Sequence, residues 1–125
     1  MVAASSGLIP SHTAAELRHR IAFDRRAVSD DGMGNEEAAW QQEFEVRAKL
    51  KARFGGEAVT AARLAGKQPV TLVVRHNAVT LRITPDWRAR DVRSGTLYAI
   101  RSIVDPDDGR MWLELLCETG AGVEP

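Results

Sequence analysis

The sequence predicts a mainly β protein, a small antiparallel β-barrel or sandwich of about six strands with one short helix in a long loop. One observation is a regular alternation of apolar and charged side chains between residues 40 and 53. Another is a series of short segments rich in β-branched, leucine or aromatic residues, separated by turn-forming residues. At 125 residues the chain can bury one core but is too short for two.

The alternation between residues 40 and 53 has the period of a β-strand, with one buried and one solvated face. A helix through the same residues would mix the charged and apolar side chains on one face. The apolar side chains occupy even positions: Trp40, Phe44, Val46, Ala48, Leu50 and Ala52. The charged side chains occupy odd positions: Glu43, Glu45, Arg47, Lys49, Lys51 and Arg53.

A weaker alternation over residues 17–26 predicts the first strand, with Leu17, Ile21 and Phe23 on its apolar face. A short helix is the alternative, because Thr13 followed by Glu16 forms a capping-box pattern. Residues 29–37 contain Asp, Gly and Asn and predict an exposed connection to the long strand.

After the long strand, residues 57–65 lose the alternation and become rich in alanine, which predicts a helix of one or two turns. Four further strands are predicted at residues 70–75, 79–84, 96–104 and 111–118. The last two form the best candidate hairpin, joined by turn-forming residues 105–109. We therefore expect one domain over residues 17–118, a flexible extension over 1–16 and a flexible tail over 119–125.

Composition narrows the classes of function. The 17 basic and 17 acidic residues cancel, so the chain as a whole does not attract duplex nucleic acid. Residues 1–10 lack the basic start and unbroken apolar stretch of a secretory signal, and no apolar run is long enough to span a bilayer. We therefore expect neither secretion nor a membrane partner.

No set of residues has the spacing of an active site or a metal site. His12, His19 and His76 are far apart in the sequence, and Cys117 lies in phase with apolar residues of the last predicted strand. We therefore expect no catalytic residues, no metal and no cofactor, and a core position for Cys117.

Charged side chains suggest partner surfaces in addition to solvated faces. Arginines crowd the first predicted strand and the connections of the second half of the chain. The polar face of the long strand is acidic at Glu43 and Glu45 and basic from Arg47 to Arg53. This strip either faces solvent or pairs head to tail with a neighbouring subunit.

The order of these segments resembles the head-tail joining proteins of tailed bacteriophages, also called head-closure, stopper or head-tail adaptor proteins. The resemblance covers about residues 17–118. It rests on the strand at 17–21, the long strand containing Trp40, a glycine-bearing loop with a short helix, and a terminal hairpin formed by 95–100 and 113–118. Gene transfer agents are similar particles that contain related rings.

The resemblance implies a structural protein of the virion that is assembled in the bacterial cytoplasm. Its copies would form a sixfold or twelvefold ring beneath the portal or adaptor protein, through which packaged double-stranded DNA passes, with the tail or tail-terminator protein bound below. By the same resemblance, a loop over 55–66 would project into the channel and retain DNA. The residues assigned to this loop are Gly55, Gly56, Glu57, Arg63 and Lys67.

An exposed loop between the first two strands is a candidate surface for partners, because it could become ordered on assembly. The residues assigned to it are Asp30, Asp31, Asn35 and Glu36. The alternative function is a small β-barrel module that binds single-stranded nucleic acid or peptide. Its candidate stacking aromatics are Trp87, Trp112 and Tyr98, since Trp40, Phe44 and Phe23 are in phase with the predicted buried faces.

Overall fold

A computed structural model describes residues 12–30, 32–34, 36–106, 109–120 and 122–123. Six strands and one α-helix lie in these ranges. Their bounds are β1 His19–Asp30, β2 Glu36–Ala52, α1 Glu57–Leu64, β3 Lys67–Arg75, β4 Arg88–Asp91, β5 Leu97–Val104 and β6 Trp112–Gly120.

The six strands form one antiparallel sheet that closes on itself in the order β1-β2-β3-β6-β5-β4, because β4 pairs back onto β1. The predicted mainly β class is confirmed, and the closed sheet is the barrel-like alternative rather than two stacked sheets. Because every neighbouring pair is antiparallel, successive connections alternate between the two ends of the closed sheet. The β1–β2 turn lies at one end, and α1, which joins β2 to β3, lies at the other.

The first two strands extend beyond the closed sheet. On its other edge β1 pairs with β4 only over residues 21–24, whereas its pairing with β2 continues to Asp30 opposite Glu36. Residues 25–30 and 36–41 therefore form a two-stranded projection, which we name the β1–β2 ribbon. Six residues per strand at ~3.3 Å per residue give a projection of roughly 20 Å.

The interior of the closed sheet is filled by side chains, as expected for a small number of strands. Phe23, Phe44 and Trp87 form an aromatic contact there, with ring centroids 5.5 Å apart for Phe23–Phe44 and 5.9 Å apart for Phe44–Trp87. Cys117 is fully buried in the same cluster, which confirms its predicted core position.

A second apolar cluster, formed by Leu17, Val73 and Trp112, lies outside this core. Val73 and its neighbours Leu72 and Val74 are all buried, so β3 is covered on both faces. The segment before β1 provides the outer cover. Within it, Ala14–Glu16 forms a single 3-10 turn with a capping box between Thr13 and Glu16.

Most predicted elements are present. The strand expected at 17–26 begins at His19, and the competing helix is reduced to the 3-10 turn before it. The predicted helix at 57–65 is α1, the last two strands form the expected hairpin, and Lys67–Arg75 matches the strand expected at 70–75. In the described part of the chain, no helix is long and apolar enough to cross a membrane.

The strand predicted at 79–84 is wrong, because Thr80–Arg82 forms a 3-10 turn. The Asn77 side chain accepts hydrogen bonds from the backbone N–H groups of Val79 and Thr80, both at 2.9 Å, and the Thr80 hydroxyl donates to the Arg75 carbonyl at 2.5 Å. These local bonds replace the ladder that a strand would need. The sixth strand is β4, which the sequence interpretation treated as a connection.

The expected burial of Trp40 is also corrected. Phe23 opposes Phe44, but Asp24 opposes Gln42, so β2 has one extra residue at Glu43. Such a bulge reverses the face on which the side chains of the preceding part of β2 lie, relative to those after Glu43. Trp40 opposes Arg26 and therefore lies on the outer face with Asp24 and Gln42.

Candidate assembly surfaces

The outer face of β1 and β4 contains a buried ion-pair cluster around Asp24, which is 2% exposed. Its carboxylate accepts a hydrogen bond from Arg88 Nε at 2.9 Å and two from Arg90, from Nε at 3.2 Å and Nη2 at 3.3 Å. The hydrogen bond to Asp24 is also the main cause of a raised pKa of Arg90. The cluster connects β1 to β4, the pair of strands that closes the sheet.

Two arginines flank Trp40 where the β1–β2 ribbon leaves the closed sheet. The guanidinium carbon of Arg88 lies 4.7 Å from the Trp40 ring centroid, and that of Arg26 lies 5.2 Å from it. Both distances are within the range of a cation–π interaction. Arg88 thus joins the base of the ribbon to the Asp24 cluster.

The acidic end of the predicted dipolar strip is paired within the chain. Glu43 accepts hydrogen bonds from Arg25 at 3.2 Å and from Arg82 at 2.7 Å, and Glu45 lies 3.6 Å from Arg20. The bulge at Glu43 explains how one carboxylate reaches two arginines from different elements. Glu43 and Glu45 therefore already have ion-pair partners within their own chain.

The basic end of the strip is only partly paired. Lys49 Nζ lies 3.0 Å from Glu16 and 3.3 Å from His12 Nδ1, which attaches the segment before β1 to β2. In the described ranges no ion pair involves Arg47, Lys51 or Arg53. The charges available to a partner are therefore the basic ones.

Lys51 and Arg53, together with Lys49, line a groove of about 510 Å³ on the outer face of β2 and β3, between the segment before β1 and α1. We name it the basic groove. Side chains in its wall include Lys49, Lys51, Arg53, Phe54, Val59 and Glu114. Glu114, the acidic member, is hydrogen-bonded to His12 Nε2 at 2.7 Å. The groove thus presents cations together with the exposed ring of Phe54.

The residues assigned to a channel loop lie around α1. Gly55 and Gly56 precede the helix, Glu57 is its first residue, and the guanidinium carbon of Arg63 lies 5.3 Å from the Phe54 ring centroid. Lys67 begins β3 and pairs with Gly120 of β6. The helix buries only Val59, and its Leu64 is 86% exposed. The segment is therefore a short helix on the end of the sheet, and its role in a channel stays a prediction.

The residues assigned to a partner-facing loop lie at the tip of the β1–β2 ribbon. Asp30 ends β1, Glu36 begins β2, and the two are paired and exposed. The Asp30 carboxylate accepts a hydrogen bond from the Gly32 N–H at 2.9 Å, which closes the turn. Asp31 and Asn35 lie outside the described residues.

The three histidines lie beside separate carboxylates and not beside one another. His12 contacts Glu114, His19 lies 3.8 Å from Asp91, and His76 lies 3.8 Å from Asp105. Across the described ranges no group of three or more His, Cys, Asp or Glu side chains is arranged to hold a metal ion. Burial raises the pKa of the Cys117 thiol to about 12, which disfavours the reactive thiolate.

The sequence interpretation missed the Asp24 cluster and the joint role of Arg88 and Arg90. Their signal was present: an acidic residue directly follows the apolar Ile21–Phe23 segment, and the two arginines alternate around Ala89. The aromatics proposed for base stacking, Trp87, Trp112 and Tyr98, are all buried. Their ring faces are therefore not presented to a nucleic acid.

Comparisons with known proteins agree with this architecture. A solution structure of protein SF1141 from Shigella flexneri 2a is similar, with a TM-score of 0.66 and 22% identity over 89% of this chain and 99% of that one. A chain from the virion of a native gene transfer agent particle is similar with a TM-score of 0.60 and 24% identity, over 84% of this chain and 96% of that one. At these identities the likeness shows the fold.

A search of curated proteins finds no match. The sequence model of one family, described as phage head completion protein, matches residues 13–120, from the capping box before β1 to the last residue of β6. The chain therefore belongs to the phage head completion protein family.

Proposed function

We propose that this protein forms a homo-oligomeric ring at the head-tail interface of a tailed phage or gene transfer agent particle. The ring lies beneath the portal or adaptor protein, closes the DNA-filled head and provides the surface to which the tail or tail-terminator protein binds. The observation that carries the proposal is the family match over residues 13–120, which spans the whole closed sheet. The similar fold of a chain in a gene transfer agent virion supports the same reading.

The distribution of charge and apolar surface supports assembly as the activity. Val28 on the ribbon is 63% exposed, Phe54 is 70% exposed and Leu64 on α1 is 86% exposed. These exposed apolar side chains are available for burial against neighbouring subunits. The ribbon and α1 lie at opposite ends of the sheet, so one subunit can contact different neighbours at its two ends.

Closure of the channel is the finer part of the proposal. We assign it to residues 55–66, because α1 is attached to the sheet mainly through Val59 and can shift at small cost. With Arg63 and Lys67 opposed by Glu57, this segment obstructs DNA sterically and does not bind phosphate strongly. Double-stranded DNA passes through the ring when the segment moves aside.

The test is a cryo-electron reconstruction of particles from the source organism, paired with particles that lack this chain. We expect a symmetric ring of this chain between portal and tail, with residues 55–66 facing the channel. We expect particles without the chain to lose packaged DNA and to lack tails. Normal DNA retention and tail attachment without the chain would overturn the proposal.

A companion measurement addresses the nucleic-acid-binding alternative. Salt-dependent binding of the purified protein to single-stranded DNA, together with absence from every particle, would favour the binding module. The buried positions of Trp87, Trp112 and Tyr98 predict no such binding.

A further inference from the structure

The charges of this neutral chain are separated into one acidic and one basic segment. Residues 28–38, around the tip of the β1–β2 ribbon, contain four acidic residues and no Lys or Arg. Residues 47–53 contain four basic residues and no Asp or Glu. Two surfaces of opposite sign on one molecule can attract each other on neighbouring copies.

The basic groove is shaped to receive a narrow projecting element. It is bounded by the segment before β1 on one side and by α1 on the other, and its volume is about 510 Å³. Lys49 is held by Glu16, whereas no ion pair within the described part of the chain neutralises Lys51 or Arg53. The ring of Phe54 adds an exposed apolar surface at the groove. The groove therefore suits an acidic segment with an apolar side chain nearby.

The tip of the ribbon has the complementary properties. Asp30 and Glu36 are exposed on paired positions of adjacent strands, and Val28, two residues before Asp30, is 63% exposed. Two strands about 4.8 Å apart form a narrow element. A projection of roughly 20 Å carries this tip away from its own closed sheet.

The topology prevents this tip from reaching the groove of its own chain. The ribbon leaves the end of the sheet where β1 joins β2, whereas α1 and the groove lie towards the opposite end, where β2 joins β3. Contact between the two surfaces therefore requires two copies. Such a contact is heterologous, and it generates a ring when the rotation between copies closes.

We propose that the acidic tip of the β1–β2 ribbon, defined by Val28, Asp30 and Glu36, docks into the basic groove of the next copy of this chain. Asp30 and Glu36 face Lys51 and Arg53, and Val28 lies against Phe54. This inference rests on the proposed ring and specifies which surfaces hold it together.

The test is cysteine cross-linking in particles that carry Met33→Cys and Phe54→Cys in place of the wild-type chain. Met33 lies at the ribbon tip and is 84% exposed, and Phe54 is 70% exposed at the groove. The native Cys117 is buried and gives no background. Treatment with a short bis-maleimide is expected to give a ladder of multimers under denaturing conditions.

The matched control pair is Met33→Cys with Met111→Cys. Met111 is 62% exposed and lies in the β5–β6 turn, at the same end of the sheet as the ribbon. This pair is expected to give at least tenfold fewer multimers. A ring in the reconstruction with no excess of multimers for the 33–54 pair overturns the contact and leaves the ring intact. Absence of the chain from the particles overturns the proposed function instead.

Charge reversal gives a second, independent readout. Asp30→Lys with Glu36→Lys, and separately Lys51→Glu with Arg53→Glu, are each expected to lower the yield of multimers at least about tenfold. The chain carrying all four substitutions is expected to recover the wild-type yield, because each of the four substituted positions again faces the opposite charge across the contact. A fourfold variant that melts like the wild-type chain yet gives no more multimers than either double variant overturns the inference.

Discussion

Asp24 and Arg88 are 64 residues apart in the sequence and 2.9 Å apart, from Oδ2 to Nε, in the folded chain. Arg90 binds the same carboxylate, so a single acidic side chain connects β1 to two positions of β4. β4 has only four residues, Arg88–Asp91, and its hydrogen bonds alone give limited attachment. The cluster is therefore central to closure of the sheet.

We predict that Asp24→Asn lowers the free energy of unfolding by about 2–4 kcal/mol, because two arginines lose their buried countercharge. The matched control is Glu118→Gln, which removes the exposed pair with Arg101 and is expected to cost less than about 1 kcal/mol. Urea denaturation followed by circular dichroism measures both values. Equal losses for the two variants would show that the buried Asp24 cluster stabilises the fold no more than the exposed Glu118–Arg101 pair does.

Cys117 provides a prediction about reactivity. Burial raises its pKa from 9.0 to about 12, which reduces the thiolate fraction near neutral pH about a thousandfold. We expect N-ethylmaleimide to leave Cys117 unmodified in the native protein and to modify it rapidly in denaturant, as measured by mass spectrometry. A native modification rate close to the denatured rate would contradict the core assignment.

The raised pKa of Cys117 also predicts how stability depends on alkaline pH. The thiol ionises first in the unfolded chain, so the unfolded state binds fewer protons above pH 9 and stability decreases as pH rises from 9 towards 12. Cys117→Ala is expected to show a shallower decrease over this window. Identical pH dependence of the two proteins would contradict the prediction.

At Gly120, β6 packs so closely against the turn before β3 that we expect a larger side chain there to lower the free energy of unfolding. A Cβ atom at this position would lie 2.3 Å from the carbonyl oxygen of Gly66, and its φ is +109°. We expect Gly120→Ala to cost roughly 3 kcal/mol, from the clash and the left-handed backbone together.

The control for this prediction is Gly34→Ala in the ribbon turn. Gly34 has a φ of +83°, but an added Cβ there would meet nothing within 4 Å. We expect it to cost about 1–2 kcal/mol from the backbone alone. Thermal or urea unfolding of both variants measures the difference, and equal costs would show that the contact with Gly66 relaxes freely.

The ion pair between Glu16 and Lys49 attaches the segment before β1 to β2, and we expect this attachment to be sensitive to acid. The hydrogen bond from Lys49, followed by that from the Thr13 backbone, lowers the pKa of Glu16 below 4.5. A carboxyl group whose pKa is lowered by folding stabilises the folded state when the pH is above its pKa in the unfolded chain. This contribution is lost as the pH falls through its pKa in the folded chain. We therefore expect the attachment to weaken below pH 4.5.

Hydrogen exchange of the Leu17 amide, which donates to the Ala14 carbonyl, measures this attachment. Glu16→Gln is expected to lower its protection at neutral pH, whereas Glu57→Gln at the start of α1 is expected to leave it unchanged. Unaltered protection in Glu16→Gln would mean that Leu17, Val73 and Trp112 hold the segment without the ion pair.

Much of the sheet was predictable because its signals are local. The alternation around Val46, Ala48 and Leu50 identified β2, and the apolar segments at both ends of the turn at 105–109 identified β5 and β6. The separation of acidic and basic residues along β2 was also evident. These features depend on the two-residue period of a strand and on turn-forming residues, both of which are local properties of the sequence.

Features that depend on particular side-chain hydrogen bonds, or on pairing between distant residues, could not be predicted from such local patterns. Asn77 and Thr80 turn an apolar segment into a 3-10 turn through side-chain hydrogen bonds. The bulge at Glu43 moves Trp40 to the outer face. The alternation of apolar and charged residues along β2 gives no sign of this extra residue.

Local patterns in the sequence account for the β class, the long second strand, the short helix, the final hairpin and the segregation of charge. The tertiary structure establishes β4 and the closed sheet, because β4 pairs with β1 and its Arg88 and Arg90 bind Asp24, from which they are 64 and 66 residues distant in the sequence. It also decided that the acidic ribbon tip and the basic groove lie towards opposite ends of the molecule. The physical reason is that strand direction and partner choice are set by pairing between distant residues, whereas periodicity records only which face of each strand is buried.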